Sequence, residues 1–332
     1  MLKPVLFVAV LLACAHAASH IPMDSRSFIT LTPREAAEEL RHCFDKWKVR
    51  LNISTFNKRG GGWAGWVLHD KELAPGIIAG PLIPKSMSSS LRQMYGNRNR
   101  PKGLMTVEHV LDLSTHNESR RNFWFAVVRD PLTRFIDAYV EAGNGQPHFL
   151  LPGTAALCNF TKAHSAAHFC EQPLQCRKQH FENWVMDHHL DPNGRVHRAP
   201  QLDWLTFAVP YLDAVLRLEN LEMDWLFATQ YTAGMANSTI NDFDLSSEWF
   251  LKHAMHGGKK TNAKRTKLDD GADACQQWRE RGEVSSRGAY YQVLQDNALQ
   301  WSTAEVLRIM CEALALDYAC LRYAMPAECQ LG

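Results

Sequence analysis

Two cationic side chains stand where a polypeptide can grip an anion. Lys85 lies in Pro84-Lys85-Ser86-Met87-Ser88-Ser89-Ser90, between the sheet-like run Ile77 to Ile83 and a helical pattern from Leu91 to Tyr95. Arg129 follows the apolar run Phe123 to Val128 and precedes Asp130-Pro131. Taken alone, the serines read as a solvated turn and Lys85 as a surface lysine. Together, an ammonium and several hydroxyls at a helix N-terminus make an anion cradle, because the N–H groups and dipole there favour negative charge. Arg129 adds a permanently charged guanidinium at a strand's carboxyl end. That edge is where ligands bind in open α/β sheets.

The elements that must hold these groups are legible around them. Phe123 to Val128 is short, continuous and β-prone, which predicts a strand buried on both faces. Asp130 sits at an N-cap position and Pro131 at the first helical position, and Phe135, Ala138 and Tyr139 can then share one packed face. Pro81 inside Ile77 to Ile83 is awkward for a central strand. Thr32-Pro33-Arg34-Glu35 predicts a helix start by capping box, with the helix running to about Trp47. Phe181 to His189 reads as helix, and Tyr211 to Leu218 as a strand leading into Glu219-Asn220-Leu221-Glu222. Ser302-Thr303-Ala304-Glu305 opens a last helix with Val306, Ile309, Met310 and Ala313 on its buried face, ending near Leu316.

Other stretches read as connections. Gly60-Gly61-Gly62 lacks the following Gly-Lys-Ser/Thr of a P-loop, so it reads as a loop rather than a phosphate cradle. Pro147 to Gln179 holds three cysteines and a sequon, which predicts an irregular, disulfide-tied insertion. His256 to Lys267 carries five lysine or arginine side chains, and two readings stand: a solvated loop, or a flap over an anionic substrate.

Composition bounds the answer. With 332 residues, a net charge of +1 and 46% apolar residues, the chain can build one large domain or two modest ones. No charge imbalance points to nucleic acid as a partner. Lys3, the apolar stretch Pro4 to Cys14 and Ala15-His16-Ala17 read as a signal peptide over residues 1–17, with an uncleaved signal-anchor as the alternative. A membrane is a partner only if that segment is retained. Beyond Cys14, the even set Cys43, Cys158, Cys170, Cys176, Cys275, Cys311, Cys320 and Cys329 predicts disulfides, with the pairing left open. No CxxC pair supports zinc. Sequons at Asn52, Asn117, Asn159 and Asn237 add to a lumenal or extracellular expectation. Residues 18–75 then form an N-terminal helical and loop region, and residues 76–326 the main domain.

The order of the phrases is itself informative. A strand ending in Pro84-Lys85 with hydroxyls is followed by one ending in Arg129-Asp130-Pro131, with Arg134 five residues after Arg129. Phe181-Glu182, His197…Pro200-Gln201, Leu218-Glu219-Asn220-Leu221 and Asp317-Tyr318…Tyr323 come next. This series resembles the Golgi carbohydrate sulfotransferases, in the chondroitin/HNK-1 sulfotransferase-like branch with its nematode-type relatives, over roughly residues 76 to 325. The resemblance implies a single α/β domain with a mainly parallel sheet flanked by helices, of the P-loop-like sulfotransferase fold. It implies a donor, 3′-phosphoadenylyl sulfate (PAPS), no metal, and a glycan or proteoglycan acceptor in the Golgi lumen or secreted space. It places Lys85 on the 5′-phosphosulfate with Ser88, Ser89 and Ser90 around it, and Arg129 on the 3′-phosphate.

Sulfuryl transfer asks for such residues. It is an in-line displacement governed by positioning and charge, like phosphoryl transfer. An ammonium such as Lys85 neutralises charge building on the oxygen that bridges sulfur and phosphate. The acceptor hydroxyl gives its proton to a general base, for which His197 is the first candidate and His109 and His116 are the reserves. One position departs from the family: Asp137 stands where a serine donates to the 3′-phosphate. An ionised carboxylate cannot donate. At about 4 Å from a phosphate charge it would cost roughly 4 kcal/mol at an effective dielectric near 20, about a thousandfold in affinity. Asp137 therefore turns to Arg134, or is bridged by a cation from the basic loop, or marks a non-catalytic secreted glycan-binding relative. A nucleotide-dependent kinase is disfavoured by the incomplete P-loop motif.

Overall fold

The computed structural model of the chain describes residues 31–47, 66–70, 77–83, 86, 91, 103–106, 123–139, 170–186, 199–206, 208–236, 274–280, 303–326 and 329. The predicted capping box opens helix α1 (Pro33–Trp47). Glu35 N–H donates to Thr32 Oγ1 (3.3 Å), and Thr32 N–H donates to Glu35 Oε2 (2.7 Å). Ala36, Ala37 and Leu40 form its buried stripe.

Strands β1 (Trp66–Asp70), β2 (Ile77–Ala79), β3 (Gly103–Thr106), β4 (Phe123–Val128) and β5 (Ala214–Arg217) make one sheet in the order β3-β1-β2-β4-β5. β4 pairs in parallel with β2 and with β5, in the registers Phe125 to Ala79 and Phe125 to Ala214. β1 runs antiparallel to both β2 and β3. The class is α/β, with a parallel three-strand core and an antiparallel extension. β1 and β3 were not foreseen, and they make the sheet mixed. The connection from Asp70 to Ile77 is too short for a parallel crossover, so β1 and β2 pair antiparallel.

All six residues of β4 are buried, as a two-face strand requires. Each large side chain of this kind contributes about 2 kcal/mol on burial. Phe125 meets Trp225 edge-on with centroids 5.7 Å apart, and Trp124 stacks on Tyr211 at 5.7 Å. β2 is shorter than the sequence run indicated. It stops at Ala79, Gly80 turns away at φ 143°, and Pro81 thus lies outside the ladder.

Helices α2 (Pro131–Ala138), α3 (Leu174–Met186), α4 (Gln201–Leu205), α5 (Leu221–Ala236), α6 (Ala274–Glu280) and α7 (Ala304–Cys320), with two short 3-10 helices (Val209–Tyr211 and Leu218–Asn220) that confine the strand expected over Tyr211 to Leu218 to Ala214–Arg217, complete the described elements. α3 begins inside the stretch expected to be irregular. α7 continues past Leu316 to Cys320, because Leu314, Asp317, Tyr318 and Cys320 still point into packed surroundings. Val306 and Met310 are buried on α7 as predicted, whereas Ile309 and Ala313 are half-buried.

The chain forms two units. The first comprises the chain to Pro131, Ala199–Met255 and Leu314–Met325. It holds the sheet, α1 against β5, and the Cys43–Cys320 disulfide. The second comprises Leu132–Arg198, His256–Ala313 and Pro326–Gly332. Its centre is aromatic: Phe135 and Trp184 lie 5.0 Å apart, Tyr139 and Phe181 4.8 Å, Tyr139 and Trp184 5.2 Å. Disulfides Cys170–Cys275 and Cys311–Cys329 tie this second unit. Cys176 is also disulfide-bonded. Among the described residues no helix is long and apolar enough to cross a membrane.

Candidate functional site

The first unit gathers polar side chains at the carboxyl ends of its parallel strands. Arg129 is the residue after β4, and Pro131 opens α2, so Arg129 sits half-buried between a strand end and a helix start. Its backbone is held at both poles by one side chain. Arg129 N–H donates to Gln201 Oε1 (2.9 Å), and Gln201 Nε2 donates to Arg129 C=O (2.6 Å). The glutamine amide thereby pairs with residue 129 as a neighbouring strand would.

Gln201 is wholly buried and is itself held firmly. Its N–H donates to Asp317 Oδ2 (2.7 Å), and Leu202 N–H donates to Asp317 Oδ1 (3.0 Å). These are the first two residues of α4, whose terminal N–H groups have no partner within the helix. Asp317 supplies that partner from α7, and it too is fully buried. From the other direction, Ser86 Oγ donates to Gln201 Oε1 (3.2 Å) from a 1% exposed position in the loop after β2. One buried amide therefore joins the β2 loop, the end of β4, α4 and α7.

A second carboxylate performs a similar task one residue on. Asp130 N–H donates to Glu219 Oε1 (2.7 Å), and Tyr323 Oη donates to Glu219 Oε2 (2.8 Å). Burial pushes the Tyr323 hydroxyl well above its ordinary pKa of 10.0, and the charges of Glu219 and Asp130 push it further, against a smaller opposing effect of Arg217. Tyr323 therefore stays protonated and remains a donor. At the end of β5, Arg217 and Asp224 form a buried bidentate pair: Nε to Oδ2 is 2.8 Å and Nη2 to Oδ1 is 2.6 Å. Arg217 N–H (2.8 Å) and Asn220 Nδ2 (3.0 Å) complete the shell of that carboxylate.

Of the residues singled out from sequence, Arg129 and Asp137 are described. Asp137 is half-buried on α2, within the second unit together with fully buried Arg134. Lys85, Ser88, Ser89, Ser90 and His197 lie outside the described residues, as do His109, His116 and the basic stretch 256–267. Ser86, the immediate sequence neighbour of Lys85, is described and reaches the glutamine that holds Arg129. Sequence reasoning quoted Gln201, Glu219, Asp317 and Tyr323 within phrases but gave them no role. It missed Arg217–Asp224 entirely, since nothing in the local pattern marks a strand-end arginine as bound by an aspartate in the next helix. Among the described residues no group of His, Cys, Asp or Glu is disposed to hold a metal ion.

Chemically, the arrangement is a rigid edge. Two consecutive backbone units are fixed by side chains, residue 129 by the buried Gln201 and residue 130 by the exposed Glu219, and a guanidinium leaves the chain at that fixed point. Comparison with protein-family models, curated proteins and solved structures finds no match to this chain.

Proposed function

We propose that the chain is a carbohydrate O-sulfotransferase of the P-loop-like sulfotransferase type, moving a sulfuryl group from PAPS to a glycan hydroxyl in the secretory pathway. One observation carries the reading: Arg129, assigned to the 3′-phosphate, is locked at the carboxyl end of β4 by Gln201, which also binds Ser86 beside Lys85 in the chain. The two motifs assigned to opposite ends of one nucleotide thus share a buried anchor. In the reaction the bond between sulfur and the donor's bridging oxygen breaks, and a bond from sulfur to the acceptor oxygen forms. The acceptor proton passes to a base, for which His197 is the candidate, and 3′-phosphoadenosine 5′-phosphate leaves. The disulfides agree with an oxidising lumen, the Golgi or the secreted space. A membrane enters only if residues 1–17 persist as an anchor.

Asp137 favours a second reading, a non-catalytic glycan-binding relative with a damaged donor site. Calorimetric titration with 3′-phosphoadenosine 5′-phosphate and transfer of labelled sulfate to a glycan panel separate the two. Binding and transfer by the wild type, both lost in Arg129→Ala and Lys85→Ala folded variants, support the enzyme. A silent wild type whose Asp137→Ser variant binds the nucleotide supports the relative. Full activity in either cation variant removes the site assignment.

A further inference from the structure

The buried amide of Gln201 does more than fill the interior beneath the strand ends. A core position of this size is met at lower cost by leucine or methionine, since every polar atom brought into it must be satisfied. Here every hydrogen bond described for the amide group goes to the two segments named above. Oε1 accepts from Arg129 N–H and Ser86 Oγ, and Nε2 donates to Arg129 C=O. The amide itself cannot drift, because the backbone at 201 and 202 is bound to both oxygens of Asp317. Residue 129 is therefore held through its N–H and its C=O together, which fixes the peptide planes on either side of its Cα and with them the direction in which the guanidinium departs.

We infer that Gln201 is the positioning residue of the anion grip: it sets the backbone of Arg129, so that the guanidinium is presented to a polyanionic nucleotide. This rests on the nucleotide reading given above. Gln201 touches no ligand; its influence passes through Arg129. The consequence is a specific form of non-additivity. Removing the amide weakens binding of a 3′-phosphorylated nucleotide only while a guanidinium is present to be aimed.

The test is a double-mutant cycle of Gln201→Met and Arg129→Ala, with Gln201→Glu as a second probe that keeps the acceptor oxygen and loses the donor. Affinity for 3′-phosphoadenosine 5′-phosphate and for adenosine 5′-phosphate, which lacks the 3′-group, is measured by calorimetry, with melting temperature as the folding control. The expected result is a loss on the order of tenfold to a hundredfold for the 3′-phosphorylated ligand in Gln201→Met, and at least as large a loss in Gln201→Glu, whose second oxygen faces the Arg129 carbonyl. Adenosine 5′-phosphate should change less, and Gln201→Met should add nothing further in the Arg129→Ala background. If Gln201→Met does not fold, the same cycle is run with Gln201→Glu. Wild-type binding with losses that simply add, or that strike both ligands equally, overturns the positioning role alone. A wild type that binds neither ligand overturns the nucleotide reading and this inference with it.

Discussion

Asp317→Asn isolates the contact on which the strand-end lattice depends. The carboxylate has no exposure and accepts from Gln201 N–H at 2.7 Å and Leu202 N–H at 3.0 Å. Asparagine keeps the shape but not the chemistry. One oxygen still accepts, while an NH₂ group now faces a backbone donor. The loss of one charge-assisted bond costs about 1.5–3 kcal/mol, and stranding a buried donor costs about 1–3 kcal/mol more. A neutral amide is cheaper to bury than a carboxylate, which returns part of that sum. The net expectation is a destabilisation of about 2–4 kcal/mol, a large share of the 5–15 kcal/mol typical of a folded domain. Urea unfolding followed by tryptophan fluorescence, with disulfides intact, reads it as a lower midpoint. Exposed Glu305→Gln on the same helix serves as the control and should stay within about 0.5 kcal/mol of the wild type. If Asp317→Asn falls inside that same band, Asp317 does not hold α4, and the rigidity attributed to Gln201 loses its foundation.

Three further outcomes follow from named contacts. Arg217→Met or Asp224→Leu alone should destabilise by about 3–5 kcal/mol by stranding a buried charge, whereas the double variant should recover only part of the loss in the same unfolding assay, because the Arg217 N–H still loses its acceptor. Tyr323→Phe should cost about 1–2 kcal/mol near neutrality through the lost bond to Glu219. Because the folded pKa of Tyr323 lies above its unfolded value of 10.0, its contribution is full below that pH and is lost as pH rises through the folded value. The difference between wild type and Tyr323→Phe, followed by alkaline melts, should therefore shrink above about pH 10. Cys43→Ser with Cys320→Ser should lower stability by about 2–5 kcal/mol, since that bridge spans 277 residues, and an unchanged melting temperature would contradict a stapling role.

Local chemistry made some elements legible and left others hidden. The helix of 33–47 announced itself through Thr32 and Glu35, and β4 through an uninterrupted apolar run. Both signals are contained within a few neighbouring residues. β1 and β3 gave no such signal, because Trp66–Asp70 runs out into His69 and Asp70 and Gly103–Thr106 opens on glycine, so their partners rather than a local apolar run specify them. The end of α7 was misjudged for a related reason. The apolar periodicity from Val306 placed the end near Leu316, yet Asp317 and Tyr318 are buried by the fold, and Asp317 is wanted by the α4 N-terminus more than a hundred residues earlier. A long-range polar contact leaves no periodicity in the chain.

The same distinction separates two kinds of information in the phrases that carried the family resemblance. Pro200-Gln201, Glu219, Asp317 and Tyr323 lie far apart in sequence, yet their described hydrogen bonds converge on the backbone of residues 129 and 130 or on one another. They specify how a strand end is clamped. Any protein needing a motionless charge at that edge would select an amide and carboxylates for this work, because only such groups satisfy buried N–H and C=O groups without adding a chain. On the function proposed above, Arg129 and Lys85 answer a different demand, the charge of a ligand. Substitutions in the clamp should therefore alter stability and anion affinity together, whereas substitutions at the two cations should alter affinity while leaving unfolding nearly unchanged. A protein that used this edge only for architecture would show no such separation.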